Sequence, residues 1–449
     1  MRRHFRFGLV PLICLWIMLM SVPVWAQGTI KIGVIGPMQF TQGKSMWNGA
    51  EMAAEKINAA GGMKVGNRLM KIELIKADSQ EFTSPPEAAA RVMDAMITRE
   101  KVDFVVGGFR TESVLAMQDV AMQHKVIFFG AGAAHPELCN RVVRDYNRYK
   151  YWFRGTPFNS NYMVKTLFMQ VRSVAALLKQ RLNLDRVKVA IFAETAMWVD
   201  PMVKGAEAFI PTMGLEVVGT WRVGDKATDV SAELAAIRQS GAHIIFTIFS
   251  GPAGIPVAKQ AGEMKIPAVQ VGINVESSKE GFWEATSGMG NYVMALNNYV
   301  RGVEYNELTS GFVEAYYSRY GEIPVYNANT YEIIGSYIKL AVEEAGTLDA
   351  DKLIPFIEEG VRMGSSGVIA FEKDEMGRPT HDLKWGPGYT TSLGIQWQDG
   401  KMVAVWPHFK WMEPYWEFSA EPPDQPNEMS YKGLKPYVIP PWMMAAYKN

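Results

Sequence analysis

Two successive series of alternating strand-like and helix-like runs restrict the fold of this chain more than any other feature. Each series contains four short runs rich in β-branched and aromatic residues, separated by amphipathic helical runs. The eight predicted strands are residues 30–35, 71–76, 102–106, 126–129, 187–192, 215–221, 243–249 and 268–272. This alternation is typical of parallel sheets covered by helices. The chain therefore makes the same kind of α/β unit twice, although no sequence repeat accompanies the similarity.

The size of the chain also favours two lobes. A single hydrophobic core stops growing at about 250–300 residues, and this chain has 449. Further helices are predicted over 160–182, 305–320 and 328–345, and a β-hairpin around Asp399-Gly400. From residue 412 the chain is rich in proline and tryptophan. Its prolines exclude long helices and its aromatic residues argue against disorder, so we predict an irregular strap on the surface.

The N-terminal segment has the pattern of a secretory signal peptide. Three arginines precede an apolar stretch that is short for a membrane span, and Val24-Trp25-Ala26 offers a cleavage site after Ala26. A lipoprotein signal needs a small residue before its cysteine, but Ile13 precedes Cys14. We therefore expect residues 1–26 to be removed and a soluble protein to be exported to the periplasm.

The composition of the chain excludes several classes of protein. The chain has 46 basic and 46 acidic residues, and loss of the signal peptide with its three arginines leaves a small excess of acid. Proteins that bind nucleic acid carry concentrated positive charge, so we expect no nucleic-acid partner. Of the two cysteines, Cys14 lies in the signal peptide, which leaves Cys139 alone. An internal disulfide and a two-cysteine metal site are then both excluded.

The usual catalytic and cofactor motifs are missing from the sequence. No G-x-S-x-G, H-E-x-x-H or G-x-x-x-x-G-K-[ST] pattern occurs. Gly130-Ala131-Gly132 follows a predicted strand as a dinucleotide fingerprint would, but His135 holds the place of the third glycine and Pro136 follows it. At the first strand, Pro37 after Gly36 removes a backbone donor that a pyrophosphate would need. We therefore expect neither an enzyme nor a bound cofactor or metal.

Several segments resemble the periplasmic leucine/isoleucine/valine-binding protein family. They are IKIGVIGP at 30–37, NGAEMAAEKINAAGG at 48–62, VVGG at 105–108 and GAAHPEL at 132–138, and YWFR at 151–154 is similar to the family's crossover segment. By the order of its elements, the similarity extends over residues 28–410. The segment beyond 412 is not part of it.

The resemblance implies an α/β fold with two doubly wound parallel-sheet lobes, joined by three crossover segments and followed by the Pro/Trp-rich tail. The implied boundaries are a signal peptide 1–26, lobe 1 at 27–157 and 297–368, lobe 2 at 158–296 and 369–411, and a C-terminal extension 412–449. Proteins of this family close on a small solute and deliver it to an ABC importer. The expected partners are therefore a small molecule and the permease and ATPase subunits of an importer, with the protein itself a monomer.

The resemblance also implies a site for a carboxylate. In the family, a hydroxyl residue after the third strand and the loop after the fourth strand hold the α-carboxylate of the ligand. The matching residues here are Thr111 and the loop of Gly132, Ala133 and Ala134. Ala134 stands where the family often has threonine, so one donor is lost. Arg110 could pair with an anionic group, although an arginine at such a place more often forms a surface salt bridge.

The positions that would hold an amino group depart from the family. Its acidic partners for the ligand ammonium match Asn159 and Asn274 here, and Glu276 is an alternative partner two residues further on. Burying an ammonium group without a carboxylate is costly. The resemblance, with these changes, predicts a ligand other than an ordinary α-amino acid.

Aromatic residues point to an apolar or aromatic carboxylate as the ligand. Trp198 matches a wall position where the family commonly has tyrosine, and together with Phe40 it could sandwich an apolar ring. Packing of Trp198 in the core is an equally good explanation. Gln42 and Ser250 complete the predicted set of ligand-binding residues.

A transport receptor is the function that the sequence favours. The main alternative is a periplasmic ligand sensor of the same fold that acts on a signalling partner. A binder of branched-chain amino acids remains the alternative for the ligand. A secreted enzyme is the third hypothesis, and turnover of a carboxylate or amide library would reveal it.

Overall fold

The computed structural model describes residues 28–386, 388–407 and 431–447. The predicted signal peptide 1–26, its cleavage site after Ala26 and the first part of the predicted C-terminal extension lie outside these residues. Within the described ranges, no helix combines the length and the apolar character that a bilayer crossing requires.

Most of the strands form two large sheets, one in each lobe, and the others form two separate two-stranded sheets. In chain order the strands are β1 Thr29–Gly36, β2 Met63–Val65, β3 Arg68–Asp78, β4 Phe104–Gly107, β5 Ile127–Gly130, β6 Trp152–Arg154, β7 Lys188–Glu194, β8 Glu216–Val223, β9 Ile244–Phe249, β10 Val269–Asn274, β11 Met294–Asn297, β12 Arg362–Gly364, β13 Gly367–Ile369, β14 Phe371–Lys373, β15 Pro379–Leu383, β16 Leu393–Gln398 and β17 Lys401–Trp406. The first sheet has the order β2-β3-β1-β4-β5-β6 and the second β17-β16-β11-β10-β9-β7-β8. Pairing in these two sheets is parallel except for β2 with β3, β11 with β16 and β16 with β17.

Helices cover both sheets, as the alternating pattern predicts. They are α1 Thr41–Ala59, α2 Pro86–Thr98, α3 Thr111–Gln123, α4 Glu137–Arg144, α5 Tyr146–Tyr149, α6 Ser160–Leu182, α7 Asp200–Phe209, α8 Ser231–Gln239, α9 Gly254–Glu263, α10 Phe282–Ala285, α11 Glu307–Tyr320, α12 Thr330–Glu332, α13 Lys339–Ala345, α14 Ala350–Glu358 and α15 Pro441–Ala446. The predicted helix 328–345 is interrupted, because a π-helical segment at Ile333–Ile338 separates α12 from α13. The predicted α/β fold with two doubly wound lobes is confirmed.

The registers of the parallel strands bring the loops of the site to one edge of each sheet. In the first sheet, Gly107 at the end of β4 pairs with Ile35 of β1 and with Gly130 of β5. In the second sheet, β7, β9 and β10 end together, and Asn274 pairs with Phe249. The loops that follow these strands therefore emerge side by side, in the position where open α/β sheets bind ligands.

The cores divide the chain differently from the predicted boundaries. Phe371 and Leu383 belong to the core of the first lobe, where Phe371 packs against Phe153, although the resemblance assigns residues 369–411 to lobe 2. The hairpin of β14 and β15 buries its apolar face on the end of the first sheet, a contact distant in sequence that the local pattern does not encode. We propose that the last crossing to lobe 2 begins after Leu383.

The tail at 431–447 is a strap on the second lobe. Tyr437 and Met443 are buried in a core cluster that includes strands of the second sheet. The side-chain amide of Gln396 bonds both backbone groups of Val438, at 2.8 Å and 2.9 Å. Trp442 donates its indole N–H to the carbonyl of Ile266 at 2.9 Å. The tail thus runs from β17, where the N–H of Lys435 bonds the carbonyl of Ala404, to the segment before β9, where Tyr447 packs against His243.

Candidate ligand-binding site

A cavity lies between the two lobes, where the carboxyl ends of both parallel sheets meet. Its volume is about 700 Å3, its open mouth included. Aromatic side chains form much of its wall: Phe109 and Tyr326 come from the first lobe, Phe158 from a crossover and Trp198 from the second lobe. Such a mainly apolar crevice with a few polar groups is typical of a small-molecule site.

Part of the predicted site lines this cavity. The residues that do so are Arg110, Gly132, Ala134, Trp198 and Ser250. Ala133 lies within the same loop as Gly132 and is buried. The loop needs glycine at 132, because a Cβ there would come 2.5 Å from the carbonyl oxygen of Gly108.

The N-terminus of α3 also faces the cavity, since Arg110 and Glu112 on either side of Thr111 line it. Thr111 is the first residue of α3, is 1% exposed, and its hydroxyl has no partner among the described residues. The first N–H groups of a helix lack intrahelical acceptors and favour anions. The helix end therefore offers donors to a negatively charged group, and the buried Thr111 hydroxyl lies between two lining residues in sequence without lining the cavity itself.

A buried carboxylate shapes the loop in front of α3. Glu81 accepts hydrogen bonds from the backbone N–H of Phe109, at 2.9 Å, and of Arg110, and from the hydroxyl of Ser79 at 2.6 Å. Burial raises the pKa of Glu81 to about 7, and these hydrogen bonds oppose the rise. The N–H groups of Phe109 and Arg110 are thus taken by the protein itself, so the donors for a ligand begin at Thr111.

Arg110 is paired with protein carboxylates. Its guanidinium bonds the carboxylate of Asp225 in the second lobe and lies 3.8 Å from that of Glu112. Glu112 in turn accepts a hydrogen bond from the backbone N–H of Met197 in the second lobe, at 3.1 Å. These contacts join the lobes across the cleft. Arg110 therefore forms salt bridges, the alternative that its sequence position also allowed. A ligand anion would have to compete with two carboxylates for its guanidinium.

The wall formed by the second lobe is held by Glu194, at the end of β7. Its carboxylate accepts hydrogen bonds from the indole of Trp198, at 3.0 Å, from the hydroxyl and backbone N–H of Ser250, and from the N–H of Gly251 at 2.8 Å. Trp198 and Ser250 line the cavity. The Ser250 carbonyl also accepts a long hydrogen bond from Gln42 of the first lobe, at 3.4 Å.

Other predicted site residues have partners elsewhere. Asn159 caps α6: its side-chain oxygen accepts from the backbone N–H groups of Asn161 and Tyr162. Its amide N–H donates to Asp382 at 3.0 Å. Asn274 donates to the carbonyl of Gly254 at 2.8 Å, and Glu276 pairs with a lysine one turn away. Phe40 packs against Phe82, with ring centroids 4.6 Å apart. None of Phe40, Gln42, Thr111, Asn159, Asn274 and Glu276 is among the described residues that line the cavity.

Sequence reasoning missed several residues that line the cavity. Ala196 follows β7, and Asn297 with Asn298 lies at the end of β11. The rule that ligands bind at the carboxyl ends of parallel strands could have found these three. Tyr326 comes from a short turn after α11, and no local pattern marks it.

The described residues offer neither a cluster of metal ligands nor a reactive thiol. Within residues 28–386, 388–407 and 431–447, no three His, Cys, Asp or Glu side chains converge as a metal site requires. Cys139 is buried and free. Burial raises the pKa of its thiol far above the ordinary value, which makes it a poor nucleophile.

Comparisons with known proteins find relatives by sequence and by fold. The chain is 24% identical over 395 residues to Leu/Ile/Val-binding protein homolog 7 of Brucella abortus (strain 2308), covering 85% of this chain and 92% of that protein. The fold is similar to the leucine-binding protein LivK of Thermotoga maritima MSB8, with a TM-score of 0.67 and 20% identity over 84% of this chain and 97% of the other. It is also similar to an ABC transporter solute-binding protein of R. palustris in complex with benzoate, with a TM-score of 0.65 and 18% identity over 84% and 96% of the two chains.

The family assignment follows from a match over most of the chain. A sequence model of the family described as periplasmic binding protein matches residues 29–385. This range contains all the strands from β1 to β15 and nearly all residues that line the cavity. The chain belongs to the periplasmic binding protein family.

Proposed function

We propose that this protein is the periplasmic solute receptor of an ABC importer of the branched-chain-amino-acid type, and that it hands its ligand to the permease and ATPase subunits. The family match and the N-terminal signal pattern support export and transport. A cavity at the carboxyl edges of two sheets, crossed by polar contacts between the lobes, suits a receptor that closes on its ligand. The motifs G-x-S-x-G, H-E-x-x-H and G-x-x-x-x-G-K-[ST] do not occur in the sequence.

The ligand that this site suits best is a small carboxylate with an apolar or aromatic body. The observation that carries this proposal is the combination of an aromatic wall with the N-terminus of α3 and the unpartnered hydroxyl of Thr111. An amino acid would also need an acceptor for its ammonium group. Glu112 is the carboxylate in the described lining, and it already bonds Met197 and neighbours Arg110. A benzoate-bound protein from R. palustris and the leucine-binding protein LivK have similar folds, so the fold accommodates either class of ligand and the side chains decide between them.

A ligand screen tests the function directly. We expect benzoate to raise the melting temperature of the purified protein and leucine to leave it nearly unchanged. A ligand at 100 times its Kd raises the free energy of unfolding by about 2.7 kcal/mol, which differential scanning fluorimetry detects easily. Strong stabilisation by leucine, with no effect of benzoate, would reverse the proposed ligand class. Conversion of the acid to a product would contradict the receptor function itself.

Thr111→Val tests the carboxylate site. We expect the affinity for benzoate, measured by calorimetry, to fall about ten- to hundredfold, the cost of one hydrogen bond to a charged group. The fold should be little affected, because the Thr111 hydroxyl bonds no other described residue. Thr247→Val is the matched control, since Thr247 is also buried with a hydroxyl that bonds no other described residue, but it lies within β9 and not at the N-terminus of α3. Equal affinities of the two variants would remove Thr111 from the site.

A further inference from the structure

Glu194 is a fully buried carboxylate that touches the cavity only through other residues. It lies at the end of β7 with 0% exposure, and it is not among the described lining residues. Its oxygens accept four hydrogen bonds, from Trp198, Gly251 and both donors of Ser250. Burial raises the pKa of Glu194 above its ordinary value, and these bonds oppose the rise. A carboxylate with so many donors is well satisfied in its charged form.

The four hydrogen bonds determine the shape of one side of the cavity. Trp198 packs in the core of the second lobe, and its indole N–H bond to Glu194, at 3.0 Å, additionally fixes the direction of the ring. The bonds to Ser250 and Gly251 fix the loop after β9 against the end of β7. One carboxylate thus holds an aromatic face and a polar loop in fixed relation, and an aromatic ring binds best to a face of fixed orientation.

We propose that Glu194 is a positioning residue that determines ligand specificity: by fixing the Trp198 indole and the Ser250 loop, it makes the cavity prefer a flat aromatic acid over an aliphatic acid of the same size. This inference rests on the proposed function, since it assumes that carboxylates with apolar bodies bind in this cavity. It assigns to Glu194 a role in selection without contact with the ligand.

Replacement of Glu194 by glutamine changes little in volume but removes acceptor capacity. The carboxylate accepts at both oxygens, whereas a glutamine amide accepts at one and presents N–H groups at the other. One side of the amide then faces donors that it cannot satisfy, either at Ser250 and Gly251 or at Trp198. The indole or the loop must move, and the aromatic wall loses its fixed plane.

The test compares two acids of matched size, benzoate and cyclohexanecarboxylate, by isothermal titration calorimetry. Wild-type protein is expected to prefer benzoate by about two- to tenfold, the range of a favourable contact between aromatic rings. In Glu194→Gln the benzoate Kd should rise about tenfold, the effect of about one lost hydrogen bond. The Kd for cyclohexanecarboxylate should change less, so the preference for benzoate shrinks or disappears.

Glu332→Gln is the matched control for loss of a buried carboxylate. Glu332 is 5% exposed and accepts hydrogen bonds from the N–H of Ser365, at 2.8 Å, and the hydroxyl of Ser336, at 3.1 Å. It bonds the same kinds of serine donor as Glu194 but does not hold residues of the cavity wall. Glu332→Gln should show the wild-type preference between the two acids. This control distinguishes a positioning effect of Glu194 from a general loss of stability on removal of a buried carboxylate.

A second variant keeps the inference testable if Glu194→Gln does not fold, as judged by circular dichroism. Trp198→Phe keeps an aromatic ring but removes the N–H that Glu194 accepts, so it should also lower the preference for benzoate. If both variants fold, the double variant should lose less than the product of the two single effects, because both changes break the hydrogen bond between Trp198 and Glu194.

The outcomes separate this inference from the proposed function. If the wild type binds neither acid, the proposed function fails and the role of Glu194 fails with it. If the wild type prefers benzoate and Glu194→Gln keeps that preference, the role of Glu194 is overturned while the function stands. The role of Glu194 would also be overturned if Trp198→Phe kept the wild-type preference for benzoate. The same holds if the affinity losses of the two single variants multiplied in the double variant.

Discussion

Arg154→Met is expected to destabilise the protein by about 3–5 kcal/mol, because it leaves a buried charge without its partner. Arg154 ends β6 with 0% exposure, and its Nε donates to the carboxylate of Asp382 at 2.6 Å. The rest of the guanidinium bonds the carbonyls of Ala133 and, at 2.9 Å, of His135. The substitution therefore removes the cation beside Asp382 and the two donors that hold the carbonyls of the loop after β5. Urea denaturation followed by circular dichroism would measure the loss.

Two further variants show whether the buried charge is the cause. In Arg154→Met with Asp382→Leu neither charge of the pair remains, and much of the stability should return, since apolar residues often replace a buried ion pair without loss. Arg144→Met removes an exposed arginine that bonds Glu137 and should change stability by at most about 1 kcal/mol. If Arg154→Met behaved like Arg144→Met, the ion pair would have no structural importance.

The same ion pair explains why one predicted site residue lies outside the cavity. Asp382 bonds Arg154 with one oxygen and Asn159 with the other, at 3.0 Å. Arg154 is the last residue of the first sheet, and Asn159 caps the first helix of the second lobe. The acid that holds Asn159 thus comes from β15, close to the last crossing between the lobes. An amide that bonds a crossover carboxylate and caps a helix has no capacity left to receive an ammonium group.

The elements of the fold were predictable because their signals are local. Period-two and period-3.6 patterns predict the main strands and helices from their own residues, and the helix predicted over 160–182 has the observed bounds Ser160–Leu182. Short elements such as β2 and β11 carry no such signal and were not predicted. The strand-end rule places Gly132 and Ser250 beside the cavity. The resemblance to the leucine/isoleucine/valine-binding protein family additionally predicts how these elements are divided between the two lobes.

The contacts of the site were not predictable, because they join residues that are far apart in sequence. Arg110 and Asp225 are 115 positions apart and meet only when the two lobes face each other. Nothing in the local sequence of Asp225, after β8, distinguishes it from an exposed loop acid. The same holds for Glu194, whose neighbours in sequence read as the end of a buried strand. Three of its four hydrogen bonds come from the loop after β9 and depend on how β7 and β9 lie side by side.

Gly107→Ala is expected to have the largest effect on the fold. Gly107 ends β4 with φ at +131°, a conformation that side chains rarely adopt, and an added Cβ would lie 1.8 Å from the carbonyl oxygen of Ile35. That oxygen belongs to the backbone of β1 and also accepts from the N–H of Gly108 at 2.7 Å. The overlap is relieved only if β1 and β4 move apart. We expect a loss of more than about 4 kcal/mol, the exceptional end of single substitutions.

Gly214→Ala separates backbone strain from steric overlap. Gly214 also has a positive φ, +74°, but no described atom lies within 4 Å of the place that an added Cβ would take. Only the strain of the left-handed conformation remains, which costs about 1–2 kcal/mol. Urea midpoints of the two variants should therefore differ widely, and benzoate binding should survive in Gly214→Ala alone. Equal midpoints would mean that β1 and β4 tolerate a methyl group between them, and the close approach of these strands would then not be what holds the loop before α3 in place.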